Sequence, residues 1–162
     1  MSTPASKVVI YSPTFKRYVR MDASGVTKFE PAGSGIVNTQ SFIGAWETFF
    51  LELNNSSTAK DQGTVSFKSA SWEGGIYLRL DPSKPLAGTM KPSGDGVANC
   101  QKGKFSYEKF RIVPKDGDSS GIVYLESFAF PGVYLRMDGA KNQVNAQGGK
   151  GLYEEFKILV VS

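Results

Sequence analysis

The 162-residue sequence contains no histidine and a single cysteine, Cys100. Without histidine there can be no Ser-His-Asp triad, no Cys-His dyad and no zinc site built on imidazole. A single cysteine excludes an intramolecular disulfide and every Cys-x-x-Cys metal or redox motif. We therefore predict no metal and no cofactor, and we expect Cys100 to be a small, buried, apolar side chain.

Long apolar runs and concentrated charge are missing too. The apolar run near the N-terminus covers only residues 8–11, which is too short for the core of a signal peptide. No stretch approaches the roughly 20 apolar residues of a membrane helix. The 19 Lys and Arg exceed the 15 Asp and Glu by four, and no basic run is longer than Lys16-Arg17, whereas nucleic-acid-binding domains concentrate their basic residues. We expect a cytoplasmic protein, or one secreted by an unconventional route, with no membrane insertion and no nucleic-acid partner.

Four short motifs occur three times, in the same order, along a chain that is 40% apolar. The first reads Tyr, apolar, Arg, apolar, Asp and begins at Tyr18, Tyr77 and Tyr134. The second is an aromatic residue followed by Glu-x-Phe, the third is Asn-x-Gln eight residues before that aromatic, and the fourth is a Ser with an aromatic residue three positions later. These three motifs begin at Trp46, Tyr107 and Tyr153, at Asn38, Asn99 and Asn145, and at Ser12, Ser69 and Ser127. The chain is therefore a threefold array in one domain, residues 1–162, with units at about residues 7–57, 63–117 and 121–162.

The residues around each motif predict strands rather than helices. Apolar and polar residues alternate with period 2 at the Tyr motif, β-branched and aromatic residues are plentiful, and no segment has a convincing 3.6-residue period. Eighteen Gly and eight Pro supply turns between the short runs. Each unit provides four strands, so twelve strands surround a pseudo-threefold axis. This pattern predicts an all-β fold, the β-trefoil, in which a six-stranded barrel is capped by three hairpins.

The aromatic residues of the repeats are the predicted core. We expect the barrel to be filled by the three Tyr of the first motif, the apolar residues that follow them, and the aromatic and Phe positions of the second motif. These residues are Tyr18, Val19, Tyr77, Leu78, Tyr134, Leu135, Trp46, Phe49, Tyr107, Phe110, Tyr153 and Phe156.

The three units differ in the stretch between the Asp of the first motif and the Asn of the third. That step is 16 residues in the first unit, 18 in the second and 7 in the third. The third unit should therefore have a tight hairpin that turns at residues 139–142. The first and second units carry inserts, residues 23–37 and 82–98, which are rich in Gly, Pro, Ser and Thr. We expect these inserts to be surface loops, where binding function concentrates.

The third unit resembles the fascin-like β-trefoil repeat, in which a Gly-x-Tyr-Leu strand runs through a tight hairpin into a Val-x-Ala strand. The matching residues are Gly132-Val133-Tyr134-Leu135 and Val144-Asn145-Ala146. Residues 38–49, Asn-Thr-Gln-Ser-Phe-Ile-Gly-Ala-Trp-Glu-Thr-Phe, are similar to bacterial fascin-like domains, which are often appended to polysaccharide-active enzymes. The resemblance covers all three units. It implies the trefoil fold and, through fascin, an actin-binding or cytoskeletal role.

A second resemblance covers residues 125–136, Leu-Glu-Ser-Phe-Ala-Phe-Pro-Gly-Val-Tyr-Leu-Arg, which look like the repeat of arabinofuranose-binding modules. These modules are also trefoils, but they place a His after the Arg, where this chain has Met21, Leu80 or Met137. The same stretch more distantly resembles interleukin-1-type cytokines. The Gln-x-Trp motif of ricin-type lectins is missing from the sequence.

Polar residues at the ends of the predicted hairpins are candidates for a shallow sugar site. An Asp that closes a hairpin and an Asn on the returning strand offer carboxylate and amide groups to sugar hydroxyls, and a nearby ring covers the apolar sugar face. The candidates are Trp72, Asp22, Asn38, Asp81, Asn99, Asp138 and Asn145. Trp72 lies in a turn whose glycines should leave it exposed. The alternative is structural: each Asp pairs with the Arg two residues before it, and Trp72 plugs one end of the barrel, as Phe15 and Phe130 would at equivalent positions.

A catalytic role is not expected. Glu47, Glu108 and Glu154 occur once per unit, a third of a turn apart around the barrel, whereas the carboxylates of a glycosidase lie roughly 5–10 Å apart. We expect each Glu to accept local backbone N–H groups. The sequence therefore predicts a non-catalytic, lectin-like carbohydrate-binding protein whose partners are glycans or glycoproteins. The alternatives are a fascin-like protein that binds F-actin, and a protein-binding inhibitor or cytokine-like trefoil that uses one insert.

Overall fold

The computed structural model describes residues 6–54, 60–81, 87–115 and 119–161. These residues form twelve strands and four one-turn 3₁₀ segments, with no α-helix among them. The strands are β1 (Ser6–Ser12), β2 (Arg17–Asp22), β3 (Ile36–Gln40), β4 (Phe49–Asn54), β5 (Thr64–Ser69), β6 (Ile76–Asp81), β7 (Val97–Lys102), β8 (Phe110–Pro114), β9 (Val123–Ser127), β10 (Tyr134–Asp138), β11 (Gln143–Gln147) and β12 (Lys157–Val160). The 3₁₀ segments are Ala45–Glu47, Ser106–Glu108, Gly139–Lys141 and Leu152–Glu154. The predicted four strands per unit are confirmed.

Six strands form the barrel: β1, β4, β5, β8, β9 and β12. All their pairings are antiparallel, from β12 through β1, β4, β5 and β8 to β9. A bridge between Val123 and Phe156 joins the two ends of this series. The barrel therefore closes, and closure leaves no unpaired sheet edge between the units.

The other six strands form three hairpins, β2–β3, β6–β7 and β10–β11. Their registers are equivalent, so the Arg of the first motif always lies opposite the Asn of the third. The opposed pairs are Arg20 and Asn38, Arg79 and Asn99, and Arg136 and Asn145. The third hairpin turns through Gly139–Lys141 and Asn142, which takes a left-handed conformation with φ of 53°. The predicted tight hairpin is thus confirmed, and the fold is an all-β trefoil.

The core lies inside the barrel and under the hairpins. The Phe of each second motif is fully buried there, as are the apolar residues that follow each Tyr. Phe67 links two of these rings, with centroids 6.2 Å from Phe49 and 5.9 Å from Phe110. Cys100 is buried as predicted, and burial raises the pKa of its thiol to about 12.

The prediction that the Tyr residues fill the barrel is wrong for Tyr18, whereas Tyr77 and Tyr134 are buried but lie outside the apolar cluster of the core. Successive side chains of a strand point to opposite faces, so Tyr18 and Val19 cannot both enter the core. Val19 is fully buried, whereas Tyr18 stays half-buried and lies 5.1 Å from the ring of Tyr11. Trp46, Tyr107 and Tyr153 also lie outside the core, where they form part of the surface clefts described below.

Within the described ranges, no helix has the length and apolar character needed to cross a lipid bilayer.

Candidate functional site

Each unit carries the same group of side chains at the outer face of its hairpin. The Arg donates from Nη1 to the Asn Oδ1 across the strand pair at 3.2 Å in all three units. The Asp two residues later lies 3.6–3.9 Å from the same guanidinium. These pairs form because residues two apart on a strand share a face.

An aromatic ring completes each group. The guanidinium lies 4.5 Å from the Trp46 ring in the first unit, and 5.1 Å from Tyr107 and from Tyr153 in the others. The ring and the Arg are brought together by the one-turn 3₁₀ segment that precedes the last strand of each unit. Stacking of this kind attracts the cation to the ring face and fixes the side chain.

The Glu after each ring holds the 3₁₀ turn in place, as the sequence predicted. Oε1 of Glu47, Glu108 and Glu154 accepts the N–H of the residue three positions earlier, at 2.7 Å each time. Burial raises the pKa of Glu108, and it raises the pKa of Glu154 to about 7. The buried Oε2 of Glu154 has no hydrogen-bond partner among the described residues.

A cleft opens beside each Arg–aromatic pair. The cleft of the first unit, about 330 Å³ in volume, is lined by Arg20, Gln40, Phe42, Gly44, Ala45, Trp46 and Glu47. The equivalent clefts of the second and third units are about 300 and 290 Å³. The third is lined by Arg136, Gln147, Tyr153 and Glu154 of its own unit, and by Met90, Lys91 and Pro92 of the second.

The insert of the first unit lies across the hairpin of the second unit. The carbonyl of Pro31 accepts from Arg79 Nη2 at 3.0 Å, and the carbonyl of Ala32 accepts from Asn99 Nδ2 at 3.0 Å. The side-chain amide of Gln101 accepts the N–H of Glu30 and donates to the Glu30 carbonyl. The insert is therefore docked on its neighbour rather than extended into solvent.

The insert of the second unit covers the third unit in the same way. Pro92 accepts from Arg136 Nη2 at 2.8 Å, and Ser93 accepts from Asn145 Nδ2 at 3.0 Å. Lys91 exchanges two hydrogen bonds with the amide of Gln147, at 2.9 and 2.7 Å. Residues 82–86, which begin this insert, lie outside the described residues.

The first unit differs because the third unit has no insert to cover it. From the tight hairpin of the third unit, Asn142 bonds to it: Oδ1 accepts from the N–H of Thr39 at 2.9 Å and from its hydroxyl at 2.7 Å. Among the described residues, no insert carbonyl accepts from Arg20, and the Gln40 amide bonds to no insert but accepts the N–H of the adjacent Ser41. The side chain of Arg20 is 21% exposed, against 3% for Arg79 and 1% for Arg136. One of the three equivalent sites is therefore open.

The predicted sugar-site residues of the hairpins fall into two groups, those of the open first unit and those of the covered second and third units. Asp22 and Asn38 belong to the open first unit, and both contact Arg20. Asn99 and Asn145 lie under the inserts, where their amide groups bond to the Arg and to an insert carbonyl, so a sugar cannot reach these groups while the inserts stay docked. Asp81 and Asp138 pair with the buried Arg79 and Arg136. Asp138 also accepts from the N–H groups of Ala140 and Lys141 and thereby closes its hairpin.

Trp72 is not the exposed platform that its flanking glycines suggested. It is half-buried against the core, like Phe15 and Phe130, and lies 5.7 Å from the ring of Trp46. The backbone N–H of Trp72 donates to Ser69 Oγ at 2.9 Å, just as the backbone N–H groups of Phe15 and Phe130 donate to the Ser three residues before them. The repeated Ser is therefore a turn cap that positions an aromatic residue over one end of the barrel.

Sequence reasoning missed the role of Gln40, Gln101 and Gln147, and it missed the docking of the inserts. A signal was present: Pro-small-Gly-x-Gly occurs twice, as residues 31–35 and 92–96, each time seven residues before the Asn. A repeated segment inside otherwise unlike inserts indicates a repeated contact. The described residues contain no cluster of three Cys, Asp or Glu side chains arranged to hold a metal ion.

No family model and no curated protein matches the sequence, so the fascin-like resemblance stays a prediction. Solved structures do match over the whole chain. SeviL bound to asialo-GM1 saccharide has a TM-score of 0.68 at 8% identity, covering 98% of this chain and 99% of that one. The designed threefold-symmetric ThreeFoil has a TM-score of 0.68 at 10% identity, covering 96% of this chain and 99% of that one. The BEL β-trefoil has a TM-score of 0.65 at 14% identity, covering 99% of this chain and 97% of that one. At these identities the likeness concerns the fold alone, and the chain is a β-trefoil protein.

Proposed function

We propose that this protein is a non-catalytic, carbohydrate-binding β-trefoil and that the open cleft of its first unit is the glycan site. One observation carries the proposal. The first unit keeps the Arg, Asn and Gln of the other units, but within the described part of the chain no insert uses their hydrogen-bonding groups. The presence of a saccharide in SeviL, which has the same fold, supports it.

The lining of this cleft suits the two faces of a sugar ring. Arg20 offers N–H donors, and the amide of Gln40 offers both donors and an acceptor to hydroxyl groups. The ring of Phe42 is 60% exposed and provides an apolar surface for the C–H face of a pyranose. Because few groups contact one sugar, a single site binds weakly, and glycans presented in many copies are favoured by avidity.

We propose binding without hydrolysis because the two carboxylates near this cleft are both paired with Arg20. Asp22 Oδ2 lies 3.9 Å from Nη2, and Glu47 Oε2 lies 4.0 Å from Nε. Hydrogen bonds from Ser24 lower the pKa of Asp22. A glycosidase needs one carboxyl group with a raised pKa to protonate the leaving group.

The test is a glycan array probed with labelled protein, followed by titration of the best ligand by calorimetry. The informative variants are Phe42→Ala and Gln40→Ala. The matched control is Phe105→Ala, which removes a ring of similar exposure, 54%, from the cleft of the second unit. We expect the first two variants to weaken binding about tenfold, the loss of roughly one good contact, and the control to bind as the parent does. An array without binding, or equal losses in all three variants, would overturn the proposal.

The alternatives from sequence have less support. A protein-binding inhibitor would use an insert as its contact, but the inserts are docked on neighbouring units through their backbone. F-actin binding stays a prediction, and co-sedimentation with filaments tests it.

A further inference from the structure

The trefoil contains the same short peptide bound twice to the same set of side chains. In both cases four consecutive residues cross the hairpin of the next unit. They are Glu-Pro-Ala-Gly at residues 30–33 and Lys-Pro-Ser-Gly at residues 91–94. The first residue pairs with the Gln through its N–H and C=O, the Pro carbonyl accepts from the Arg, and the small residue's carbonyl accepts from the Asn. We name Arg20, Asn38 and Gln40, and their equivalents in the other units, the hairpin strip.

The strip selects this peptide by shape as well as by hydrogen bonds. Gly33 and Gly94 have φ of +69° and +63°, a conformation that L residues rarely adopt. A Cβ at Gly33 would lie 2.5 Å from Asn99 Oδ1, and one at Gly94 would lie 2.6 Å from Asn145 Oδ1. The fourth position therefore accepts only Gly. The Pro lies two residues before this Gly. Its ring fixes φ near the value that the segment needs, and it has no backbone N–H that requires a partner.

The strip of the first unit is built in the same geometry but carries no peptide among the described residues. Arg20 bonds to Asn38 at 3.2 Å, as its equivalents do. The Gln40 Oε1 accepts the N–H of Ser41 at 3.1 Å, as Gln101 accepts that of Lys102 at 2.9 Å. The side chains are thus pre-oriented, and a ligand need not rearrange them.

We propose that the hairpin strip of the first unit binds a segment of another protein with the sequence x-Pro-Ala-Gly or x-Pro-Ser-Gly. The bound segment spans four residues, because Asn142 already occupies the N–H of Thr39 at the position where Ser34 and Asp95 pair with the other two units. The inference goes beyond the proposed glycan site and does not rest on it. Since Arg20 and Gln40 border both, peptide and glycan would exclude one another.

The test is an NMR titration of ¹⁵N-labelled protein with the blocked peptide Ac-Phe-Glu-Pro-Ala-Gly-NH₂, the sequence of residues 29–33. With four hydrogen bonds and no covalent tether, we expect a dissociation constant of about 1 mM. Shifts should appear at the side chains of Arg20, Asn38 and Gln40. The hairpins of the other two units, whose strips are filled, should not respond.

Two controls separate this contact from nonspecific binding. The peptide with Ala in place of its last Gly should lose binding at least about tenfold, because its Cβ meets the Asn as described above. Gln40→Ala should weaken binding of the Gly peptide by about tenfold, while Ser41→Ala should leave it unchanged. Equal shifts with the two peptides, no shift at millimolar peptide, or no effect of Gln40→Ala would each overturn the inference. Glycan binding without peptide binding would leave the proposed function intact.

Discussion

Replacing Gly33 by Ala should destabilise the protein strongly, because this residue combines two separate constraints. Its φ of +69° costs an L residue about 1–2 kcal/mol. The added Cβ would also lie 2.8 Å from Arg79 Cδ as well as 2.5 Å from Asn99 Oδ1. To relieve these clashes the insert must lift from the hairpin. It then loses the bond from Arg79 to the Pro31 carbonyl, about 1.5–3 kcal/mol, and the bond from Asn99 to Ala32, about 0.5–1.5 kcal/mol.

The expected loss in the free energy of unfolding is therefore about 3–6 kcal/mol. Gly25 in the same insert provides the matched control, since its φ is +81° and a Cβ there would meet nothing within 4 Å. Gly25→Ala should cost only the backbone term, about 1–2 kcal/mol.

Urea denaturation followed by tryptophan fluorescence measures both variants against the parent protein. The two variants should differ by about 2–4 kcal/mol, with m-values that stay equal. If Gly33→Ala and Gly25→Ala lower the free energy of unfolding by the same amount, the insert is not packed on the hairpin of the second unit at Gly33, and its docking there is refuted.

Three further predictions concern the arginines of the hairpins, Glu154 and Trp72. Arg136→Met should lower the free energy of unfolding by about 3–5 kcal/mol, because the buried Asp138 loses its partner. Arg20→Met at the open site should lower it by about 1 kcal/mol, because Arg20 and Asp22 are both partly exposed. Equal losses by urea denaturation would contradict this. Burial raises the pKa of Glu154 from 4.5 to about 7, so its stabilising contribution is fully present below pH 4.5 and is lost as pH rises through 7. Glu154→Gln should remove up to about 3 kcal/mol of this pH-dependent decrease in the free energy of unfolding, measured by denaturation at several pH values. A pH profile that the substitution leaves unchanged would show that the carboxyl group titrates normally. Trp72→Ala should lower the free energy of unfolding by about 3–5 kcal/mol, and Trp72→Phe by less than about 1.5 kcal/mol, in the same assay. A Trp72→Ala variant as stable as the parent would show that the ring lies in solvent.

The fold could be predicted from the sequence because repetition amplified weak signals. A single Tyr-x-Arg-x-Asp strand means little, but three copies with Asn always eight residues before an aromatic residue indicate three equal units that share one core. The tight hairpin of the third unit was readable from the same spacing. The large ring of Tyr18 suggests a place in the core, but Val19 beside it enters the core, and strand alternation directs Tyr18 to the opposite face.

The site was harder to predict because it depends on contacts between units. Nothing local to Asn99 or Asn145 reveals that the insert of the preceding unit uses their amides. Equally, nothing local to Arg20 shows that it stays uncovered, since the cause is the short turn of the third unit, more than 100 residues away. Composition marked the inserts as loops, but backbone hydrogen bonds to buried side chains decided where they lie.

The unequal covering of the three hairpins is tested most directly by the solvent exchange of the arginine Nε–H protons, measured by ¹⁵N NMR on the unliganded protein. The Nε–H protons of Arg79 and Arg136, which lie under the docked inserts, should exchange slowly, and that of Arg20 should exchange fast. Equal exchange at all three arginines would contradict the assignment of the first unit as the open site.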